Sequence, residues 1–437
     1  MQWSRLLSAQ RLGHKGAEPV TPARNPFQKD WDRVVFCSAF RRLQDKTQVH
    51  SLPESDYVRN RLTHSLEVSS VGRSLGAQVG QSVMERHGRD LTGLSAAEFG
   101  HIVAAACIGH DIGNPPFGHF GEATIQHFFR SGPGAALVAG LSERERRDFL
   151  HFEGNAQGFR VMTRLQNWRD AGGLRLTCAT LATFMKYPFG SLQADPAKGK
   201  IGHFTAEAEL FEEMARNVGL LRLGEGRYAR HPLTYLVEAA DDICYSVVDI
   251  EDGFKLGRIT FREAETQLHS LLRRMPPRYR EIEDETWKIA YLRAKVIGDL
   301  IDMAVEVFLD CEAQIMEGRM QGDLLQQTLA APALAEIAVL TRTRIFETRE
   351  RFQTEVMGGE ILTSLLEAFC DAHLALERAG GDLKQLAPRQ RALLRLMPQK
   401  PRPAASRYEW LLSVTDFISG MTDSYALKQF QRLRGLQ

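Results

Sequence analysis

The sequence predicts an all-α fold, on three observations. Apolar residues recur at helical spacing along most of the chain, as in Leu62, Leu66, Val68 and Leu75 or Leu300, Met303, Ala304 and Val307, and alternating strand-like runs are scarce. Helix-breaking punctuation separates these stretches at Leu52-Pro53, Asn114-Pro115-Pro116, Gly132-Pro133-Gly134, Asp195 to Lys200, His231-Pro232 and Pro398 to Pro403. Of the 437 residues, 43% are hydrophobic and 25% charged, the composition of a globular protein with a large core.

Taken in order, residues 1–24 read as an N-terminal tail, carrying Arg5, Arg11 and Lys15 but no apolar run of signal-peptide length. Residues 25–258 read as the helical core. Within it, Ile102 to Ile108 is continuously apolar and predicts a buried helix, while Ser142 to Asp148 mixes charge signs and predicts a solvated helix face. The short stretch Leu220 to Tyr228, with Gly224-Glu225-Gly226 to turn it, reads as a β-hairpin. Residues 259–437 read as a helical C-terminal region packed on the core. In that region Pro398 to Ser406 reads as a linker, and Tyr408 to Gln437 carries Asp416 to Asp423 (DFISGMTD), to which spacing alone assigns no role.

Lysine and arginine total 55 against 54 acidic residues, and a net charge of +1 exerts no global pull on nucleic acid or membranes. No segment offers about 18 uninterrupted apolar residues, so no membrane partner and a cytoplasmic location are expected. The six cysteines are scattered without a C-x-x-C pair, which predicts buried free thiols rather than disulfides or a zinc cluster.

Three segments concentrate residues that an apolar helix interior does not normally tolerate: Arg59 to Val68 (RNRLTHSLEV), Ile108 to Glu122 (IGHDIGNPPFGHFGE) and Glu238 to Tyr245 (EAADDICY). Burying such groups costs several kcal/mol unless something pairs them, and a cation is an economical partner. A lone buried histidine is more often satisfied by hydrogen bonds, but His64, His110, Asp111 and an aspartate from Asp241 or Asp242 together offer four ligands. This mixed nitrogen and oxygen set suits borderline divalent metals such as Mn, Fe, Co, Ni or Zn. Arg61 precedes His64 by three and projects from the same helical side, where its planar fork suits phosphate; Arg59 is a second contact or a surface residue. Beyond the Pro115-Pro116 break, His119 and Glu122 are three apart and can touch, a carboxylate–imidazole pair suited to moving protons.

The order His64, His110-Asp111, Asp241 resembles the HD-domain metal-dependent phosphohydrolases. The run HDIGNPPFGHFGE, with RNRLTHSLEV and EAADDICYSVVDIEDG, is similar to the deoxyguanosine triphosphate triphosphohydrolase family, over at least Asn25 to Arg258 and on to DFISGMTDSYAL. The resemblance implies an HD-domain helical bundle with additional C-terminal helices, and an enzyme that cleaves dGTP or another dNTP to deoxynucleoside and tripolyphosphate. It implies His64, His110, Asp111 and Asp241 as metal ligands, Mn or Mg as the ion, and His119 with Glu122 as the catalytic pair. Gln48, Arg61, Tyr245 and Asp249 are implied as substrate-binding residues, and Asp241, Tyr245 and Asp249, four apart, share one helical face. The segment Phe152 to Gln157, with Asn155 and Gln157, also resembles the family. One departure is Asn114, where some relatives have a histidine. Family members form homo-oligomers, hexamers among them, and some bind single-stranded DNA. The rival readings are an HD phosphohydrolase acting on other nucleotides or nucleic-acid ends, and a single-stranded-nucleic-acid-binding protein on an HD core.

Overall fold

Two long antiparallel helices set the frame, and their sequences show why. In this computed structural model, which describes residues 1–14, 24–48, 59–166, 172–195, 198–398 and 405–436, the helix Arg61–His87 starts at Asn60, whose side chain accepts the Thr63 N–H. The helix Ala96–Gly109 starts at Ser95 with a reciprocal bond from Glu98 and is buried along almost its whole length. The two pack closely because the first presents glycines to the second. A Cβ on Gly76 would stand 2.7 Å from the Phe99 carbonyl oxygen, so any larger residue would force the backbones apart. The helix Thr234–Lys255 packs across both, and Glu285–Asp310 packs against it and against Arg61–His87. This arrangement brings His64, the His110-Asp111 end of the second helix and Asp241 to one place.

A second apolar cluster lies beside the first. It joins the helix Gly118–Arg130 to Arg349–Arg378, Arg407–Ser419 and Asp423–Arg434 through Phe128, Phe129, Phe149, Phe152, Phe204 and Phe369. Each of these buried rings contributes roughly 1.5–3 kcal/mol. The C-terminal region is also tied in by charge. Arg160, 9% exposed, donates to both oxygens of Asp416 at 2.8 Å and to Glu207 at 2.6 Å. Removing one partner from such a buried set leaves a charge without its counter-ion.

Among the described residues the one sheet is the antiparallel pair Arg222–Gly224 and Arg227–Tyr228, the hairpin expected from the glycines; Gly226 turns it at φ 64°. The first residues, read from sequence as tail, pack into the larger cluster: Trp3 is buried, its ring 5.4 Å from that of Phe99 and its Nε1–H donating to Glu312 at 2.9 Å. The expected linker falls largely on 399–404, outside the described residues. All six cysteines are free thiols, five of them buried. Among the described residues no helix is long and apolar enough to cross a membrane.

Candidate active site

The ligand atoms of His64, His110 and Asp111 all lie within 4.8 Å of one another. Asp241 closes the set from the third helix, its Oδ1 3.0 Å from His64 Nε2 and 3.6 Å from His110 Nε2. Its closest partners in the cluster are thus the two histidines. The two imidazoles cross edge to face, centroids 5.3 Å apart. His110 Nδ1 is 2.7 Å from the Cys107 carbonyl, which places the proton there and leaves Nε2 as the free ligand atom. Asp111 is held by Arg61 at 2.8 Å and by the Asn114 amide at 2.5 Å.

At the two carboxylates the electrostatics match a cation site. Burial alone would raise the Asp111 carboxyl, but Arg61, His110 and His64 outweigh it and hold it well below the usual range. Asp241 follows the same pattern, burial raising it and the two histidines bringing it down. For His64, burial lowers the imidazole while the hydrogen bond and charge of Asp241 outweigh it and hold it raised. Two ionised carboxylates and two imidazoles converging in a recess are a donor set for a divalent metal, and these four residues fit one.

The comparisons with known proteins agree. A family model described as HD domain matches residues 61–167. The chain is 43% identical to a deoxyguanosinetriphosphate triphosphohydrolase-like protein of Synechocystis sp., with 100% of each chain covered, and 41% identical to one from Pseudomonas aeruginosa over 100% of this chain and 99% of that one. It is 30% identical to a deoxyguanosinetriphosphate triphosphohydrolase of Klebsiella pneumoniae over 94% of both. The chain belongs to the deoxyguanosinetriphosphate triphosphohydrolase-like family of HD-domain proteins.

The other residues that the family resemblance implied fall around this cluster. The His119–Glu122 pair forms: His119 Nδ1 is 2.8 Å from Glu122 Oε2, and the other Glu122 oxygen accepts the Gly154 N–H at 2.7 Å. Glu122 is buried, whereas 77% of the His119 side chain is exposed, so the imidazole projects into open space from a fixed base. The Glu122 hydrogen bond and charge raise the His119 pKa. Arg61 links the two groups. One of its nitrogens holds Asp111, and another lies 2.6 Å from where a Cβ on Gly118, next to His119, would stand. Gly154 has the same tight fit: a Cβ there would meet Asn114 Oδ1 at 2.5 Å and Glu122 Oε1 at 2.7 Å, so only glycine leaves room for both side chains.

Gln48, His64, Tyr245 and Asp249 line one narrow cavity of about 20 Å³, which joins three of the implied substrate-binding residues to an implied ligand. Gln48 Oε1 and Asp249 Oδ2 are both buried there without a hydrogen-bond partner. Burial, and then the Asp252 charge, push the Asp249 carboxyl up to about 8. Tyr245 stacks on Phe346, the rings 5.5 Å apart and 2° from parallel. Asp242 is not among the grouped ligand residues, and its carboxyl is pushed up to about 7 by burial and the Asp241 charge. Arg59 binds Glu67 at 3.0 Å, Glu251 at 3.1 Å and Asp252, bracing two helices at the cavity wall. Gln157 is drawn elsewhere: it donates to Asp416 at 3.0 Å and lines a broad cleft of about 1310 Å³ that holds none of the four cluster residues. Asn155 donates to Glu153.

Sequence reasoning missed two lysines. Lys200 donates to Glu153 at 2.8 Å and adds its charge to that felt by Glu122 and His119, while Lys186 lies 3.8 Å from Glu238 and beside Asp241 and Asp242. Neither sits in a motif. Lys200 ends the turn at 195–200, which reads only as punctuation, and contacts 47 residues apart leave no local period.

Proposed function

We propose that the chain is a divalent-metal-dependent dNTP triphosphohydrolase, cleaving a deoxynucleoside triphosphate to deoxynucleoside and tripolyphosphate. One observation carries this reading: a proton-moving pair, His119 and Glu122, stands next to a His/Asp cluster, with Arg61 between them. The relatives named for this reaction on dGTP support it. His64, His110, Asp111 and Asp241 are the ligands of the ion, Mn or Mg. When bound, the ion polarises an α-phosphate oxygen and lowers the pKa of a bound water.

The chain's own residues do the rest. Arg61, with Lys186 and Lys200, offers cationic charge to a triphosphate tail. Gln48 and Asp249 hold unpaired polar atoms where sugar hydroxyls need partners, and a neutral Asp249 carboxyl can donate as well as accept. His119 exchanges the proton at Nε2, since Nδ1 is bound to Glu122. Substitution separates these roles. His119→Ala abolishes turnover while the protein still binds Mn²⁺ by calorimetry, and Asp241→Ala loses both. Equal metal retention in the two variants contradicts the assignment.

A further inference from the structure

Asp423 lies in the stretch to which spacing gave no role. It is 2% exposed, and it opens the helix Asp423–Arg434. One of its oxygens accepts the Phe117 N–H at 2.9 Å; the other accepts the Thr47 N–H at 3.2 Å and hydroxyl at 2.6 Å. Phe117 is the N-cap residue of the helix Gly118–Arg130, with φ at 61°, the left-handed region that a side chain rarely adopts. Such a conformation persists where the surroundings hold it. Its ring is held as well: a Cβ on Gly358 would stand 2.8 Å from it. Two residues beyond Phe117 is His119.

Neighbouring contacts run the same way. Lys46, 3% exposed, donates to the Asn114 carbonyl at 2.5 Å and the Ser419 carbonyl at 2.8 Å, and the Asn114 side chain holds Asp111. Arg42 donates to the Gly420 carbonyl at 3.0 Å and Ser424 to Asp45 at 2.8 Å. Residues 42–47 are thus gripped between the loop 114–117 and residues 419–424.

We infer that Asp423 is a positioning residue for the reaction proposed above: by holding Phe117 it sets the first turn of the helix that presents His119 and Glu122 beside the His/Asp cluster. The two histidines and Asp241 sit on other helices, and the tie from this region to Asp111 runs through Lys46 and Asn114 rather than through a bond of Asp423. A residue that only stabilised the fold would move every property together; a positioning residue moves the proton-transfer step and leaves metal binding in place.

The test uses the full chain with Asp423→Ala and Asp423→Asn, the asparagine keeping one acceptor oxygen. Asp423→Ala lowers kcat on a dNTP roughly 100-fold, the effect of a small misplacement, and Asp423→Asn recovers about tenfold of that. The Mn²⁺ dissociation constant stays within about threefold in both, while any change in KM reports the Thr47 contact next to Gln48. Histidine titration by NMR on the metal-free protein, with His119 assigned through His119→Gln, gives a readout that needs no turnover: the His119 pKa falls in Asp423→Ala as its contact with Glu122 loosens. An unchanged kcat and His119 titration, or kcat, KM and Mn²⁺ affinity failing together, overturns the inference. A wild-type chain that releases no tripolyphosphate overturns the proposed function instead, and the His119 titration then still decides the role of Asp423. If Asp423→Ala does not fold, Asp423→Asn carries the same comparison.

Discussion

Replacing Glu122 with glutamine probes the proton-transfer pair with almost no change in volume. The carboxylate is buried and its two oxygens are both in use, one by His119 Nδ1 at 2.8 Å and one by the Gly154 N–H at 2.7 Å. Glutamine has one oxygen. If it stays with Gly154, its NH₂ faces His119 Nδ1, which must then accept, and the ring proton moves to Nε2, the atom that has to exchange it. The loss expected for disabling a general acid or base is about 10²–10⁴ in kcat, or about 3–5 kcal/mol of activation free energy. Glu122 raises the His119 pKa, so its removal moves the His119 limb of the pH–kcat profile toward lower pH, whichever protonation state is active. The assay is kcat across pH at saturating Mn²⁺ and dNTP, with Mn²⁺ affinity measured alongside and unchanged. A kcat within about threefold of wild type, with the limb in place, refutes the reasoning.

Two further outcomes follow from buried charge. Asp416→Ala leaves Arg160 without its bidentate partner and removes the acceptor for Gln157, a loss of about 3–5 kcal/mol. For 437 residues unfolding as one unit this lowers Tm by roughly 3–5 °C, measured by calorimetry on the apo protein; an unchanged Tm means the network is energetically idle. Asp249 has a folded-state pKa raised to about 8 from 3.8, so the neutral carboxyl stabilises the fold fully below about pH 4, and that contribution is lost as pH rises toward 8. Asp249→Asn does not titrate. Its Tm advantage over the metal-free wild type therefore grows between pH 4 and 8, by at most roughly 1–2 °C per pH unit, and is level above; an advantage that shrinks with pH contradicts the shift.

What was legible in the sequence was whatever a local pattern carries. The apolar run ending in His110-Asp111 pointed to a buried helix with two candidate ligands at its end, and the three-residue step from His119 to Glu122 meant that the two could touch. The residues alone left Asp241 and Asp242 open; the family resemblance implied Asp241, the four-residue stripe Asp241, Tyr245, Asp249 was consistent with it, and in the structure Asp241 lies against His64. Partners were less legible than positions. Arg61 was placed on the His64 side by its spacing, but its bond to Asp111, 50 residues on, is a tertiary fact. Lys200 with Glu153 and Asp423 with Phe117, 306 residues apart, leave no period for a sequence to show. The glycines follow the same rule: no sequence pattern marks Gly154, and only the approach of Asn114 and Glu122 shows why a side chain does not fit there.

The central claim is the reaction itself, and the product identifies it. Phosphorus-31 NMR of the purified chain with each of the four dNTPs, with Mn²⁺ or Mg²⁺ and with a second dNTP present or absent, distinguishes where the bond is cut. Intact tripolyphosphate and free deoxynucleoside are expected from at least one dNTP, abolished by chelation and by His119→Ala. Pyrophosphate, orthophosphate or no product under every combination contradicts the claim.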